Sequence, residues 1–376
     1  MGVAARERLF AAANVRHVWK DAWRRMKHST PGVDGIMPQQ FNDDLTARIR
    51  FIRSEIKEGY SFASLRGVRA PKKDPTKFRI ICVPTVQDRL VQRVLETMKR
   101  GTFGARAAAV KHRQVKPWAF KTDISAFFDK IDRPALIDDL RRTFKLSSLH
   151  PLVEGAIRCE VDEHDPRTKR VLHDNGICRG VGLRQGMPLS PLLSNFVLRS
   201  FDAAFAKAGF DMVRYADDLV VLCSSQADCE AVEAFAREKL NALGHSVSEK
   251  KTEIRSPNDP IEFLGMELGL KPESSKYVLT ISDAQMKAVK ATFTDYHDVD
   301  FALKDDLTLP KLLNRLMNMK SGYRAAYNTA YNFSEFSSLL DLWSNNCIRS
   351  VYGSIFGADK IAKLSPKRRQ FLQIPD

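Results

Sequence analysis

Three aspartates carry the first sign of chemistry in this chain. Asp217 and Asp218 stand side by side in "VRYADDLVVL", Val213 to Leu222, between two apolar half-strands, and Asp123 closes the stretch "PWAFKTD" well upstream. Aspartate is common in turns, where its side chain bonds its own backbone, so an isolated Asp-Asp reads most simply as a polar hairpin tip. A third carboxylate changes that reading. Two carboxylates about 4 Å apart repel by about 4 kcal/mol at an effective dielectric of 20, a cost that divalent cations convert into attraction. Adjacent strands lie about 4.8 Å apart, so pairing of the strand that ends at Asp123 with the hairpin gathers all three acids. Two Mg²⁺ ions about 3.5–4 Å apart activate an attacking 3′-hydroxyl and stabilise a leaving pyrophosphate. Mn²⁺ is the expected substitute, and magnesium needs few carboxylates beside water and substrate phosphates.

The elements that must position these acids follow from periodicity and turn chemistry. Glu7 to Met26 and Asn42 to Glu58 have helical spacing, separated by the Pro/Gly loop "STPGVDGI". "SLRGVRAPKK" and "FRIICVP" flank the turn "KDPTK" and predict a basic hairpin carrying Arg66, Arg69, Lys72, Lys73, Lys77 and Arg79. Thr85 to Lys99 is helical in pattern, and a strand is expected to end near Asp123. Helices are expected over Arg133 to Phe144, Pro151 to Val161, Leu189 to Lys207 and Ala227 to Leu243. "GTFGARAAAVKHRQVKPW" and "EHDPRTKRVLHDNGICRGVGLRQGMPLSP" read as loops, the second with a short strand. Strands cease after about Ser282, leaving helical stretches over Asp283 to Thr292, Leu309 to Tyr331 and Ser334 to Tyr352, then a basic tail.

The chain has 376 residues and a formal charge of +15, from 60 Lys+Arg against 45 Asp+Glu, which points to a polyanionic partner. Thr97 to Thr122 contains Lys99, Arg100, Arg106, Lys111, Arg113, Lys116 and Lys121 without one acid. Such a block either tracks a phosphate backbone or forms a solvated face. No signal-peptide core opens the sequence and no run approaches about 18 apolar residues, so a cytoplasmic protein without a membrane partner is expected. The six cysteines form no Cys-x-x-Cys pair and the histidines no His-x-x-x-His pair, which argues against structural zinc and a disulfide framework.

An ordered series of blocks makes the sequence resemble the reverse transcriptases, over about Ser29 to Leu268. "STPGVDG" is similar to the most N-terminal block of the bacterial, group II intron-like branch, and "VRAPKKDPTKFRIICVPTVQDRLVQ" to its fingers blocks. "FKTDISAFFDKI" resembles the first palm block, "GLRQGMPLSPLLSN" the Gln-Gly block, "YADD" the metal hairpin, "SEKKTEI" the Lys-bearing block and "FLGMEL" the primer-grip block.

The resemblance implies an α+β right-hand polymerase with fingers, an antiparallel-sheet palm and an α-helical thumb. Residues 1–65 would form an N-terminal helical extension and the start of the fingers, 66–117 the fingers, 118–270 the palm with 180–207 returning to the fingers/palm junction, and 271–376 the α-helical thumb and basic tail. It makes Asp123, Asp217 and Asp218 the metal ligands and catalytic acids. Arg79 and a lysine of the Lys72/Lys73 pair would contact the triphosphate. Gln185 and Gly186 would lie beside nucleotide and template base, and Lys251 near the triphosphate, with Lys250 competing for that role. Phe128 matches the aromatic gate beneath the sugar and so implies deoxynucleotides, while Tyr215, Phe263, Leu264 and Gly265 would meet the primer and template.

The implied activity is RNA-directed DNA synthesis from dNTPs, extending a hydroxyl of DNA, RNA or a protein side chain. The implied partners are an RNA template, a structured non-coding RNA by analogy, and the DNA product, with oligomeric state left open between homo-oligomer and accessory-protein complex. The chain lacks the "YGFRPGRS"-like segment usual before the first palm block, a trailing HNH nuclease and the Val-Thr-Gly of retron thumbs. These departures favour the stand-alone branch implicated in phage defence over intron or retron enzymes. The reading of a different class is a non-catalytic, maturase-like RNA-binding module on the same scaffold, and an RNA-directed RNA polymerase is disfavoured by the aromatic gate. Tyr323, Tyr327 and Tyr331 recur every four residues and fit either core packing or base stacking.

Overall fold

The protein, a computed structural model, is described over residues 2–27, 29–71, 78–98, 105–272, 274–304 and 307–374. It is α+β with nine strands among the described residues: β1 Arg66–Pro71, β2 Phe78–Val83, β3 Trp118–Asp123, β4 Asp211–Tyr215, β5 Asp218–Cys223, β6 Glu253–Arg255, β7 Ile261–Phe263, β8 Met266–Leu270 and β9 Tyr277–Thr280. They form a β1–β2 ribbon, a sheet of order β4-β5-β3-β6 and a sheet of order β7-β8-β9. β1 with β2, β3 with β6, β4 with β5, β7 with β8 and β8 with β9 run antiparallel. No helix of the described residues is long and apolar enough to cross a membrane.

Two compact units interleave along the chain. The first comprises Met1–Phe103, Asp123–Gly209 and Ala236–Ser248. Its centre is the helix Val86–Glu96, on which Val86, Leu90, Val91, Val94 and Leu95 are all fully buried. Thr85, Asp88 and Arg89 of "PTVQDR" are buried as well. Thr85 caps the helix by accepting the Asp88 N–H, and Asp88 accepts from the Tyr60 hydroxyl (2.7 Å) and the Ala63 N–H (3.2 Å). Arg89 donates to Ser29 Oγ (2.7 Å) and the Thr30 carbonyl (2.9 Å), so the loop "STPGVDG" is bound to this helix. Gly32 is required there, because a Cβ would stand 2.6 Å from the Thr85 backbone.

The second unit comprises Gly104–Thr122, Phe210–Phe235 and Glu249–Asp376. One apolar core joins its two sheets to the C-terminal helices, through Val220, Ile261, Phe263, Phe293, Leu316 and Phe336. Here the sequence reading needs correction. The stretch taken as a basic loop forms the helix Ala105–Val115, favoured by its alanines. Arg113 on that helix is fully buried rather than turned to a phosphate backbone. Its guanidinium donates to the carbonyls of Leu268, Asp259 (2.6 Å), Ser256 (3.2 Å) and Pro117 (3.3 Å), and stacks over the Tyr277 ring at 4.8 Å. Only arginine offers five donors in a planar fork suited to so many acceptors. Lys116 is likewise engaged, at 2.7 Å from Asp211. Lys99 and Arg100 lie outside the described residues, as do Lys72 and Lys73.

Two further differences have local causes. The helix Pro166–Asp174 occupies a stretch read as loop. Its signal is Asp165-Pro166: the Asp165 carboxylate accepts the N–H groups of Arg167 and Thr168, and proline is preorganised for the first helical position. The tyrosine period breaks because the helix Leu309–Tyr327 ends before Tyr331. Tyr327 is buried, whereas Tyr331 is 54% exposed beneath the Lys271 ammonium.

Arg113→Met removes the donor to four carbonyls and should destabilise the protein by about 3 kcal/mol. Urea unfolding followed by circular dichroism reads this as a lower midpoint, and an unchanged midpoint would contradict the assigned role.

Candidate active site

The acidic pair sits where strand chemistry runs out. Leu219, Val220, Val221 and Leu222 are all buried, as expected of an inner strand apolar on both faces, so the polar residues fall at the tip. In the β4–β5 register Tyr215 pairs with Asp218, leaving Ala216 and Asp217 as a two-residue turn. Ala216 has φ +55, a left-handed conformation that costs a residue with a Cβ about 1 kcal/mol. Arg214 Nη1 donates to the Ala216 carbonyl at 2.7 Å and holds the turn. Asp217 and Asp218 are half-buried, while Tyr215 is 60% exposed.

A second strained turn abuts the first within the same unit. Phe263 pairs with Met266, so Leu264 and Gly265 form a two-residue turn with φ +52 and +76. Such a turn normally takes Asn-Gly, and Leu264 in that place needs outside support. Its N–H reaches Asp218 Oδ2 at 3.4 Å, and its carbonyl accepts from Arg106 Nη2 at 2.7 Å. Arg106 Nη1 donates to the Ala326 carbonyl at 2.5 Å, tying the turn to the helix Leu309–Tyr327. Phe263, the residue before the turn, is fully buried in the core of this unit. Lys250 and Lys251 are exposed in the 3₁₀ turn before β6, where Thr252 Oγ1 lies 2.7 Å from Thr122 Oγ1. Asp123 is the last residue of β3, the neighbour of β5 in the sheet.

In the first unit, the strand β2 that carries Arg79 is joined to the Gln185–Gly186 loop, and that loop to the Phe128 segment. Arg79 is exposed on β2, opposite Ala70. Cys82, on the same strand, donates its N–H to the Gln185 carbonyl at 2.7 Å. Gly186 has φ +103 and lies so close to β2 that a Cβ would stand 2.6 Å from the Cys82 carbonyl. The same loop reaches the Phe128 segment, because Leu183 N–H donates to the Phe128 carbonyl at 2.6 Å. Phe128 is half-buried, with its ring edge-on to the fully buried Phe127 at 5.4 Å, and follows a left-handed Ala126 (φ +47).

Sequence reasoning missed the residues that hold these parts. Arg106 lies far from the hairpin in sequence, and its place in the basic block does not mark the Leu264 and Ala326 carbonyls as its partners. Glu160 is another: its carboxylate takes Arg133 Nη1 at 2.7 Å and Arg184 Nη2 at 2.5 Å, with both arginines 4% exposed. Burial pushes the Glu160 carboxyl up, but the Gly180 N–H, Arg184 and Arg133 outweigh it and hold it below the ordinary range. Among the described residues, no group of three or more His, Cys, Asp or Glu is assembled as a metal cage.

Comparison with known proteins gives this geometry a context. Residues 70–268 match the family described as reverse transcriptase (RNA-dependent DNA polymerase). Protein YkfC of Escherichia coli is 26% identical, over 64% of this chain and 76% of that protein. A putative COX1/OXI3 intron 1 protein of Saccharomyces cerevisiae is 22% identical, and the matched region covers 57% of this chain and only 33% of that protein. Among solved structures, a partial Cas6-RT-Cas1–Cas2 complex aligns at 21% identity and a TM-score of 0.33, covering 64% of this chain and 41% of that one.

The left-handed turn makes a stability prediction. Ala216→Gly should gain about 0.5–1 kcal/mol, because glycine adopts this conformation without a steric penalty. Chemical denaturation measures it, and a loss of stability would contradict the turn geometry.

Proposed function

From the premise that this chain belongs to the reverse transcriptase (RNA-dependent DNA polymerase) family, we propose that it copies a dedicated, structured RNA into DNA in bacterial anti-phage defence. The observation that carries the catalytic part is the β4–β5 turn. It presents consecutive carboxylates at the tip of an otherwise apolar strand whose neighbour in the sheet, β3, ends in Asp123. The defence role rests on two internal departures in the sequence, the divergent stretch before the first palm block and a thumb region without Val-Thr-Gly.

Asp123, Asp217 and Asp218 would hold two Mg²⁺ ions, or Mn²⁺ in their place. The donors are hard carboxylate oxygens, which suit magnesium, and magnesium takes one or two carboxylates plus substrate phosphates rather than a closed protein cage. Bound there, the ions would activate the primer hydroxyl and neutralise the departing pyrophosphate.

The chain's own residues supply recognition and orientation. Arg79 with Lys72 or Lys73 grips the incoming triphosphate, and Lys251 or Lys250 adds a cation near it. Gln185 and Gly186 flank the nucleotide and template base. Phe128 lies beneath the sugar and excludes a 2′-hydroxyl, so dNTPs are the substrates. Tyr215, Phe263 and the Leu264–Gly265 turn position the primer end. The blocks support fingers over 66–117, palm over 118–270 and thumb over 271–376, in a protein acting in the cytoplasm.

Primer extension on an RNA template with dNTPs tests the activity. The Asp217→Ala, Asp218→Ala protein should lose about a thousandfold or more in rate while its RNA affinity stays within about threefold, since single-strand binding rests on cations and aromatics. Full extension by the folded double variant would sink the assignment, and RNA binding without synthesis in the wild type would favour a binding module. Phe128→Ala should admit ribonucleotides in single-nucleotide incorporation, and unchanged sugar discrimination would remove Phe128 from its role. Sequencing of nucleic acid bound to the protein in cells should return one abundant RNA and its complementary DNA. A collection of unrelated RNAs would contradict a dedicated template.

A further inference from the structure

We infer that Glu160 is a positioning residue for the nucleotide site: with Arg133 and Arg184 it fixes the Gly180–Gly186 loop, and through that loop the placement of Phe128 relative to β2. The inference rests on the roles proposed above for Phe128 and Gln185.

The bonds of this triad converge on one loop. Glu160 Oε1 accepts the Gly180 N–H at 2.7 Å, and Arg133 Nε donates to the Gly182 carbonyl at 2.6 Å. Arg184 donates to the carbonyls of Val181 (3.1 Å) and Cys178 (2.8 Å) as well as to Glu160. The Glu160 main chain is anchored too, its carbonyl accepting the Leu65 N–H at 2.8 Å just before β1 begins. One residue therefore joins the root of the β1–β2 ribbon to the loop that precedes Gln185.

The loop is in turn fitted to the Phe128 segment without slack. Gly182 has φ +74, and a Cβ there would stand 2.6 Å from the carbonyl oxygens of both Phe128 and Asp129. Its N–H donates to the Ile131 carbonyl at 2.8 Å, and the next residue, Leu183, holds the Phe128 carbonyl. Beyond Arg184, the Gln185 carbonyl is held by β2. A displacement of this loop moves both the gate and the nucleotide-flanking residues.

Burying two arginines against a half-buried glutamate is a poor route to stability, since such triads are often replaced by apolar residues at no loss. Definition of a single loop conformation is the better-supported use of one. Removing only the negative charge leaves two buried guanidinium groups facing each other, so the loop must shift to hydrate them.

The test is single-nucleotide incorporation by E160Q, with KM and kcat measured for a dNTP and its matching rNTP, and template–primer affinity measured by fluorescence anisotropy. The expected result is a KM for the dNTP raised on the order of tenfold or more, a reduced preference for dNTP over rNTP, and unchanged template–primer affinity. Glu160→Asp, which retains the charge, should recover part of both losses. If E160Q does not yield folded protein, R184K is scored by the same two numbers, because lysine keeps the charge but not the bonds to Cys178 and Val181. Folded protein with wild-type KM and preference overturns the inference. Phe128→Ala is the control: altered preference in it but not in E160Q contradicts this inference alone. Unchanged preference in Phe128→Ala contradicts the gate, and the KM of E160Q then decides the present claim by itself.

Discussion

Asp217 in a two-residue turn and Asp218 at the first position of β5 are consecutive carboxylates that repel each other, and the turn itself holds an alanine in a left-handed conformation. Neither persists unless its surroundings over-determine it, and much of the second unit serves that end. Arg214 closes the turn on itself. Leu264 N–H meets Asp218 from a second turn that is strained in the same way, and Arg106 fastens that second turn to the helix Leu309–Tyr327. Among the described residues four non-glycine positions have positive φ, and three of them, Ala126, Ala216 and Leu264, fall in the blocks that carry the proposed chemistry. Strain concentrated in this way is a property of sites whose geometry matters more than their stability.

The cations divide into two populations, and net charge does not distinguish them. Arg113, Arg133 and Arg184 are buried and organise main-chain carbonyls, whereas Arg66, Arg69 and Arg79 stay exposed on the β1–β2 ribbon. Part of the +15 charge is therefore internal scaffolding. The buried arginines link segments distant in sequence: Arg113 ties a helix to β8, and Arg184 ties a loop to Glu160. Each works through the geometry of its planar fork as much as through its charge.

Much of this was legible beforehand where a local signal exists. The hairpin tip follows from two apolar half-strands around Asp-Asp, and the helix Val86–Glu96 from its apolar spacing and the Thr85 cap. The helix Pro166–Asp174 had an equally local signal in Asp165-Pro166, which the surrounding glycines and charges obscured. What could not be read were contacts made across sequence. The Glu160 triad spans residues 133 to 184, Arg106 meets Leu264 and Ala326, and a basic stretch looks the same whether its arginines face solvent or carbonyls. The tyrosine period misled at Tyr331 because a repeat in sequence does not show where a helix ends.

The central claim is that Asp123, Asp217 and Asp218 share bound metal. Fe²⁺ substituted for Mg²⁺, with template–primer and dNTP present, cleaves the polypeptide beside the ion when ascorbate and peroxide are added, and mass spectrometry locates the cuts. The account predicts cuts near Asp123 and near Asp217–Asp218, both suppressed by excess Mg²⁺ and both lost in Asp217→Asn. Cuts confined to other segments, or cuts at only one of the two places, would contradict it.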